Sequence, residues 1–191
     1  MARRTRAEME ETRATLLAVA RQVFTATGYA DASMDDLTAR AGLTRGALYH
    51  HFGDKQGLLA AVVAQIDGEM DERLRAISER ADTPWEGFRE RCRAYLRMAL
   101  EPEIQRIVLR DARAVLGGVP MAEEQHCIAS MRGLIERSAI VGVDAEALAR
   151  MVHGSLTEAV LWIAAGEEGE TRLEQADATL DLLLGNLSPG I

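Results

Sequence analysis

The run Ser33-Met-Asp-Asp-Leu-Thr-Ala-Arg-Ala-Gly-Leu-Thr-Arg-Gly-Ala-Leu-Tyr-His-His-Phe52 constrains the fold more than any other stretch of the chain. Ser33 can cap a helix, because its hydroxyl accepts a free first-turn amide, and Asp36 stands three residues on as a short capping-box partner. Asp35 and Asp36 also suit the positive end of that helix's dipole. Gly42 stops the helix after about two turns, and Thr44 is the next capping residue. Only Gly42 and Leu43 then separate two short helices, and so brief a connection forces a sharp crossing. Leu37, Ala41, Leu43 and Leu48 form the apolar seam that fixes the angle.

The flanking sequence is helical by its periodicity. Leu16, Leu17, Ala20, Val23 and Phe24 mark one stripe over Glu8 to Ala26, which Gly28 ends. Lys55 to Ala81 reads as a long helix with Leu58, Leu59, Val62, Val63, Ile66, Met70, Leu74 and Ile77 inward. Pro84 opens the next helix at its first turn, and Pro102 interrupts it. Ile104 to Leu116 reads as a shorter helix ended by Gly117-Gly118. Met121 to Ile140, closed by Gly142, Asp144-capped residues to Ala165, and Thr171 to Leu187 complete the series. No stretch alternates with period two, and only 4% of the residues are aromatic, so no sheet is expected. The fold class is all-α, with about nine helices: a three-helix N-terminal unit over residues 10–70 and a helical C-terminal domain over 71–191.

Charge divides the chain the same way. Its net charge is −8, which by itself argues against a polyanionic partner. Residues 1–57 nevertheless balance at +1, with eight Lys/Arg and seven Asp/Glu, while residues 58–191 carry −9. The basic residues of the first part cluster at Arg3, Arg4 and Arg6 and around the second short helix at Arg45 and Lys55. An acidic body repels a polyanion and turns the other end toward it. No apolar run is long enough for a membrane span, no apolar segment follows the basic N-terminus as in a signal peptide, and the two cysteines, Cys92 and Cys127, are expected reduced in a cytoplasmic setting.

A pair of short helices with this turn is the helix-turn-helix arrangement, whose second helix enters the major groove of DNA. Arg45 can bond a guanine or a phosphate with two donors. Gly46 and Ala47 are small enough for close approach. Thr44, Tyr49, His50, Lys55 and the Ser33 hydroxyl suit phosphate contacts.

The segment Ala41-Gly-Leu-Thr-Arg-Gly-Ala-Leu-Tyr-His-His-Phe52, followed by Lys55 and Leu58-Leu59, closely resembles the DNA-binding domain of TetR family transcriptional regulators. Phe24, Gly28 and Tyr29 match the family's first-helix ending, and the likeness covers about residues 10–70. It departs at Thr38, where the family usually has alanine, and a minor packing change is expected there. The resemblance implies a homodimer that binds double-stranded operator DNA, most often as a repressor released when an unidentified small molecule enters the C-terminal domain. A constitutive DNA-binding dimer with no effector is the alternative.

The C-terminal half carries weaker marks. Arg110-Asp-Ala-Arg-Ala-Val-Leu-Gly117 resembles a segment of one branch of those regulators. A pocket is expected among the helices of residues 84–140, with Tyr95, Met98, Met121, Met131 and Trp162 as flexible apolar walls and Arg110 and Arg113 as polar contacts. The helix over 144–165 is apolar nearly all round, which requires burial on more than one side. Leu148, Met151, Val152, Ser155, Leu156, Ala159, Trp162 and Ile163, with Leu173, Leu180 and Leu184 of the last helix, are therefore expected in a four-helix dimer interface. A helical-bundle metalloenzyme would need paired Glu-x-x-His motifs. Glu123-x-x-His126 has no second copy, and His126 beside Cys127 points about 100° away from it, so no metal, cofactor or catalytic activity is expected.

Overall fold

A computed structural model describes residues 5–118 and 121–187, and their elements are helical, with no strand among the described residues. They are α1 (Arg6–Thr27), α2 (Met34–Ala41), α3 (Arg45–Phe52), α4 (Lys55–Arg80), α5 (Pro84–Met98), a π-helical segment (Ile104–Ala112), α6 (Arg113–Leu116), α7 (Met121–Arg137), α8 (Ala145–Ala164) and α9 (Gly169–Gly185). They form two compact units. One comprises the residues up to Gly68 together with Arg106–Gly118; the other comprises Glu69–Gln105 and the residues after 118.

In the first unit, α1 begins on a full capping box. The Thr5 hydroxyl accepts from the Glu8 amide at 3.3 Å, and the Glu8 carboxylate accepts from the Thr5 amide at 2.7 Å. Its buried stripe, Leu16, Leu17, Ala20, Val23 and Phe24, packs on α2 and α3. Leu37, Leu48, Leu58, Leu59 and Val62 complete that core, each worth about 1.5–3 kcal/mol when removed from water.

The segment 106–118 joins this unit through polar contacts at the end of α1. Gly28 ends that helix at φ +82°, and its amide donates to the Phe24 carbonyl at 2.9 Å. The Arg106 guanidinium lies over Gly28 and donates to the Thr27 carbonyl at 2.8 Å; a Cβ on Gly28 would meet its Nη2 at 2.1 Å. The next amide, Tyr29, donates to the Asp111 carboxylate at 2.7 Å, and Gln56 donates to the Val115 carbonyl at 3.3 Å. The nine π-helical residues replace the α-helix expected there, and runs of that length are rare.

In the second unit, α5 packs against α7, α8 and α9. Trp85 stacks on Phe88 at 5.2 Å between ring centres. Phe88, Leu96, Ile128, Ile135, Ala149, Val160 and Ile163 fill the centre. Pro84 occupies the first turn of α5 and Thr83 caps it, accepting from the Glu86 amide at 3.2 Å. Asp144 caps α8 through the Ala147 amide at 2.8 Å. Arg93 of α5 holds both Asp177 and Asp181 of α9, and Arg89 adds a second bond to Asp181 at 3.1 Å. Cys92 is buried at the same helix, and desolvation pushes its thiol up to about 12, so it stays protonated and unreactive.

The helix ends of α7 and α9 differ from the sequence expectation. The helix α7 stops at Arg137 rather than Ile140: the Ser138 and Ala139 amides tighten onto the Ile135 and Glu136 carbonyls at 3.0 and 3.3 Å, and Ala139 takes φ +49°. The last helix starts at Gly169 and ends at Gly185 rather than spanning Thr171 to Leu187.

Candidate nucleic-acid interface

The turn between α2 and α3 is built as its residues dictate. Ser33 caps α2 by accepting from the Asp35 amide at 3.2 Å. Asp36 does not act as the expected capping-box partner: its carboxylate turns along the helix to Arg40 at 2.9 Å, a favourable i, i+4 pair. Gly42 adopts the left-handed conformation, φ 65° and ψ 26°, which costs glycine least. The Gly42 and Leu43 amides return to the Ala39 and Thr38 carbonyls at 3.1 and 3.0 Å. Thr44 then caps α3, accepting from the Ala47 amide at 3.3 Å. Thr38, where the family resemblance leads one to expect alanine, is accommodated because its buried hydroxyl donates to the Met34 and Asp35 carbonyls, 3.1 and 3.0 Å away. A buried hydroxyl with partners carries no desolvation penalty.

Leu48 anchors the inner face of α3 with no exposed surface. The opposite face presents Thr44, Arg45, Gly46, Tyr49 and His50 to solvent, with Ala47 half-buried and Ser33 exposed at the start of α2. Arg45 does not extend freely. Its Nε and Nη2 both donate to the Asp35 carboxylate of α2, and this bonding with the charge of Asp35 raises the Arg45 pKa further. The sequence assigns Asp35 to the helix dipole; its role as counter-ion depends on the turn bringing residue 35 beside residue 45. Lys55 is half-buried. Its Nζ lies 4.5 Å above the Tyr29 ring and donates to the Ala30 carbonyl at 3.2 Å, so it also ties α4 to the loop after α1. Burial and the nearby charge of Asp54 raise the Tyr29 pKa.

The expected ligand-pocket residues fall in both units. Arg110 and Arg113 are exposed on the segment that belongs to the first unit, whereas Met98 and Met131 are core residues of the second and Tyr95 is half-buried there. The side chain of Met121 lies outside the described residues. Trp162 is 42% exposed beneath the Arg172 guanidinium, 5.5 Å from the ring centre. It lines a groove of about 240 Å³ between α8 and α9 with Ser155, Ala159, Ala176 and Leu183.

The expected interface residues separate by face. Val152, Leu156, Ile163, Leu180 and Leu184 are buried within the subunit. Met151, Ser155 and Trp162 are exposed, and Leu148, Ala159 and Leu173 are half-buried. Among the described residues, no group of three or more His, Cys, Asp or Glu side chains is placed to share a metal ion. None of the described helices is long and apolar enough to cross a membrane.

Comparison with known proteins gives the same picture over both units. Residues 16–62 match the family described as bacterial regulatory proteins, tetR family, and residues 85–187 match tetracyclin repressor-like, C-terminal domain. The chain is 50% identical over 64 residues to the transcriptional regulator SrpR of Pseudomonas putida, covering 34% of this chain and 30% of that protein. It is 37% identical over 70 residues to the transcriptional repressor BepR of Brucella suis, covering 37% and 34%. These matches thus span about a third of each curated relative. A crystal structure of a TetR-family transcriptional regulator from Pectobacterium atrosepticum is 66% identical, with a TM-score of 0.90, over 98% of this chain and 99% of that one. With both units matched and a full-length structural relative of that identity, the chain belongs to the TetR family of bacterial regulatory proteins.

Proposed function

We propose that this protein is a cytoplasmic transcriptional repressor that binds a near-palindromic operator as a homodimer and releases it when a small molecule binds the C-terminal domain. One observation carries the reading: α3, capped by Thr44 and anchored by Leu48, turns Arg45, Gly46, Tyr49 and His50 outward on a rigid three-helix support. Those residues, with Ser33, Thr44, Ala47 and Lys55, form the proposed DNA surface. Residues 10–70 are its DNA-binding part and 71–191 its ligand and dimer part, with the segment 106–118 packed onto the former.

Two recognition helices must sit about 34–36 Å apart to enter successive major grooves, which requires a dimer. The outer face of α8 and α9 supports that assembly, because Met151, Trp162, Leu182 and Leu183 are all exposed there, and apolar exposure of this kind marks interaction surfaces. A ligand that favours another spacing lowers DNA affinity by its differential binding energy. The test is gel retardation of duplex DNA from the intergenic region upstream of the gene, across a salt series. Retardation that survives competitor DNA and weakens with salt is expected; no retardation even at low salt overturns the reading.

A further inference from the structure

The second unit contains a cleft of about 440 Å³ between the end of α4, the start of α5 and the second half of α7, a size that suits a small molecule. Arg75 and Ser78 of α4, Pro84 and Arg91 of α5, and Ser130 and Arg137 of α7 line it. Arg91 is the one charged side chain among the described residues that is buried, at 5%. Its Nη1 donates to the Ser130 hydroxyl at 2.9 Å and its Nη2 to the Asp71 carboxylate at 3.1 Å.

A buried cation is held by a counter-charge and hydrogen bonds, here the Ser130 hydroxyl and the Asp71 carboxylate, which is itself 33% exposed. Arg137 stands at the same wall, its Nη1 beside Gly133. The acids Glu79, which Arg75 approaches at 4.0 Å, and Asp82 also line the cleft. Ala81, Pro84, Ala129 and Leu134 supply apolar wall.

We infer that this cleft binds a small monocarboxylate with a compact apolar body, its carboxylate held by Arg91, Ser130 and Arg137. The inference rests on the reading that a small molecule controls DNA binding, and it names the chemistry of that molecule. A planar guanidinium and a carboxylate match through two parallel hydrogen bonds. The apolar wall favours an organic acid over a bare oxyanion. The incoming carboxylate takes the place of Asp71 on Arg91. Asp71 belongs to α4, three residues past Gly68 on the helix that runs on from the first unit, so the exchange loosens α4 from α5 where the chain passes between units.

The experiment uses the full chain and calorimetric titration with sodium benzoate and sodium hexanoate. Benzamide, hexanamide and inorganic phosphate serve as uncharged and non-organic controls. Both acids are expected to bind and the three controls are not. Ser130→Ala and Arg137→Gln are expected to weaken the acids by about fivefold each, the scale of one hydrogen bond or partly exposed ion pair. Arg91→Gln is expected to abolish binding. Because Arg91→Gln can also disturb folding, Ser130→Ala and Arg137→Gln decide. The inference is overturned if the amides or phosphate bind as well as the acids, if neither acid binds, or if both outer variants bind like the wild type.

Operator retardation in the same samples separates the two readings. Acids that bind without releasing DNA leave the site standing and remove ligand control through it. Release by a neutral compound, with no acid bound, does the reverse.

Discussion

The Arg45 guanidinium, at the first position of α3, holds the Asp35 carboxylate of α2 through two donors. The arginine of α3 is thus paired with the helix before it, and in the proposed interface DNA competes with that internal anion. Arg45→Ala is expected to weaken specific operator binding by about 1–3 kcal/mol. Asp35→Asn is expected to do the opposite for any duplex, steepening the log–log salt dependence by about 0.9, one phosphate contact. Fluorescence anisotropy across a salt series checks both. Weaker binding by Asp35→Asn would mean that the pair orients Arg45 instead of restraining it.

Gly28→Ala is expected to destabilise the protein by roughly 1–3 kcal/mol, because its φ of +82° strains any side chain and its Cβ would collide with Arg106. Arg106→Ala alone removes the bond to Thr27 and is expected to cost about 0.5–1.5 kcal/mol. In the double variant the collision is gone, so the two costs should sum to more than the measured loss. Urea denaturation of the four proteins closes the cycle.

Asp181 gives the stability a pH dependence of known sign. The hydrogen bond from Arg89, with the bond and charge from Arg93, lowers its pKa below the usual 3.8 despite some burial. Its contribution is therefore fully present above pH 3.8 and is lost as the pH falls through the lower folded value. The carboxylate is 44% exposed, so screening holds the pair to roughly 0–1 kcal/mol. Asp181→Asn should lower the melting temperature at neutral pH, and the gap from wild type should close in acid. A gap that stays constant with pH would assign the effect to packing.

Met151→Asp and Leu183→Asp probe the outer face of α8 and α9. Both residues are largely exposed in the subunit, 72% and 63%, so neither change should reduce helical content. Each is expected to shift the protein to monomer in light scattering and to weaken operator binding. A dimer that survives both substitutions would place the interface elsewhere.

The DNA-facing half was legible because its signals are local. Ser33, Gly42 and Thr44 act within a few residues of themselves, and the structure keeps the two-residue turn they specify. Pro84 and Asp144 were legible for the same reason. What escaped depends on distance. Asp111 bonds an amide 82 positions away, and no spacing announces such a pair. The π-helical turn at Ile104–Ala112 escaped because Ile104, Ile107 and Val108 present the same stripe to a helix of either pitch. The cleft at Arg91 escaped because an arginine in an amphipathic helix looks solvated until α4 and α7 close over it. The apolar circumference of α8 pointed to burial on more than one side, but not to which side faces its own chain.

The place of residues 106–118 in the first unit has a consequence for the order of events at the ribosome. Chains emerge from the N-terminus, so α1, α2 and α3 are available early and can collapse on Leu48 and Phe24. The Tyr29 amide and the Thr27 carbonyl, however, have no Asp111 or Arg106 to meet until all of α5 has been synthesised. The DNA-binding unit therefore completes its hydrogen bonding only after part of its neighbour exists. Maturation of the DNA-binding end is tied to translation of the rest of the protein, and a nascent chain halted before residue 106 carries a recognition helix on an unfinished support.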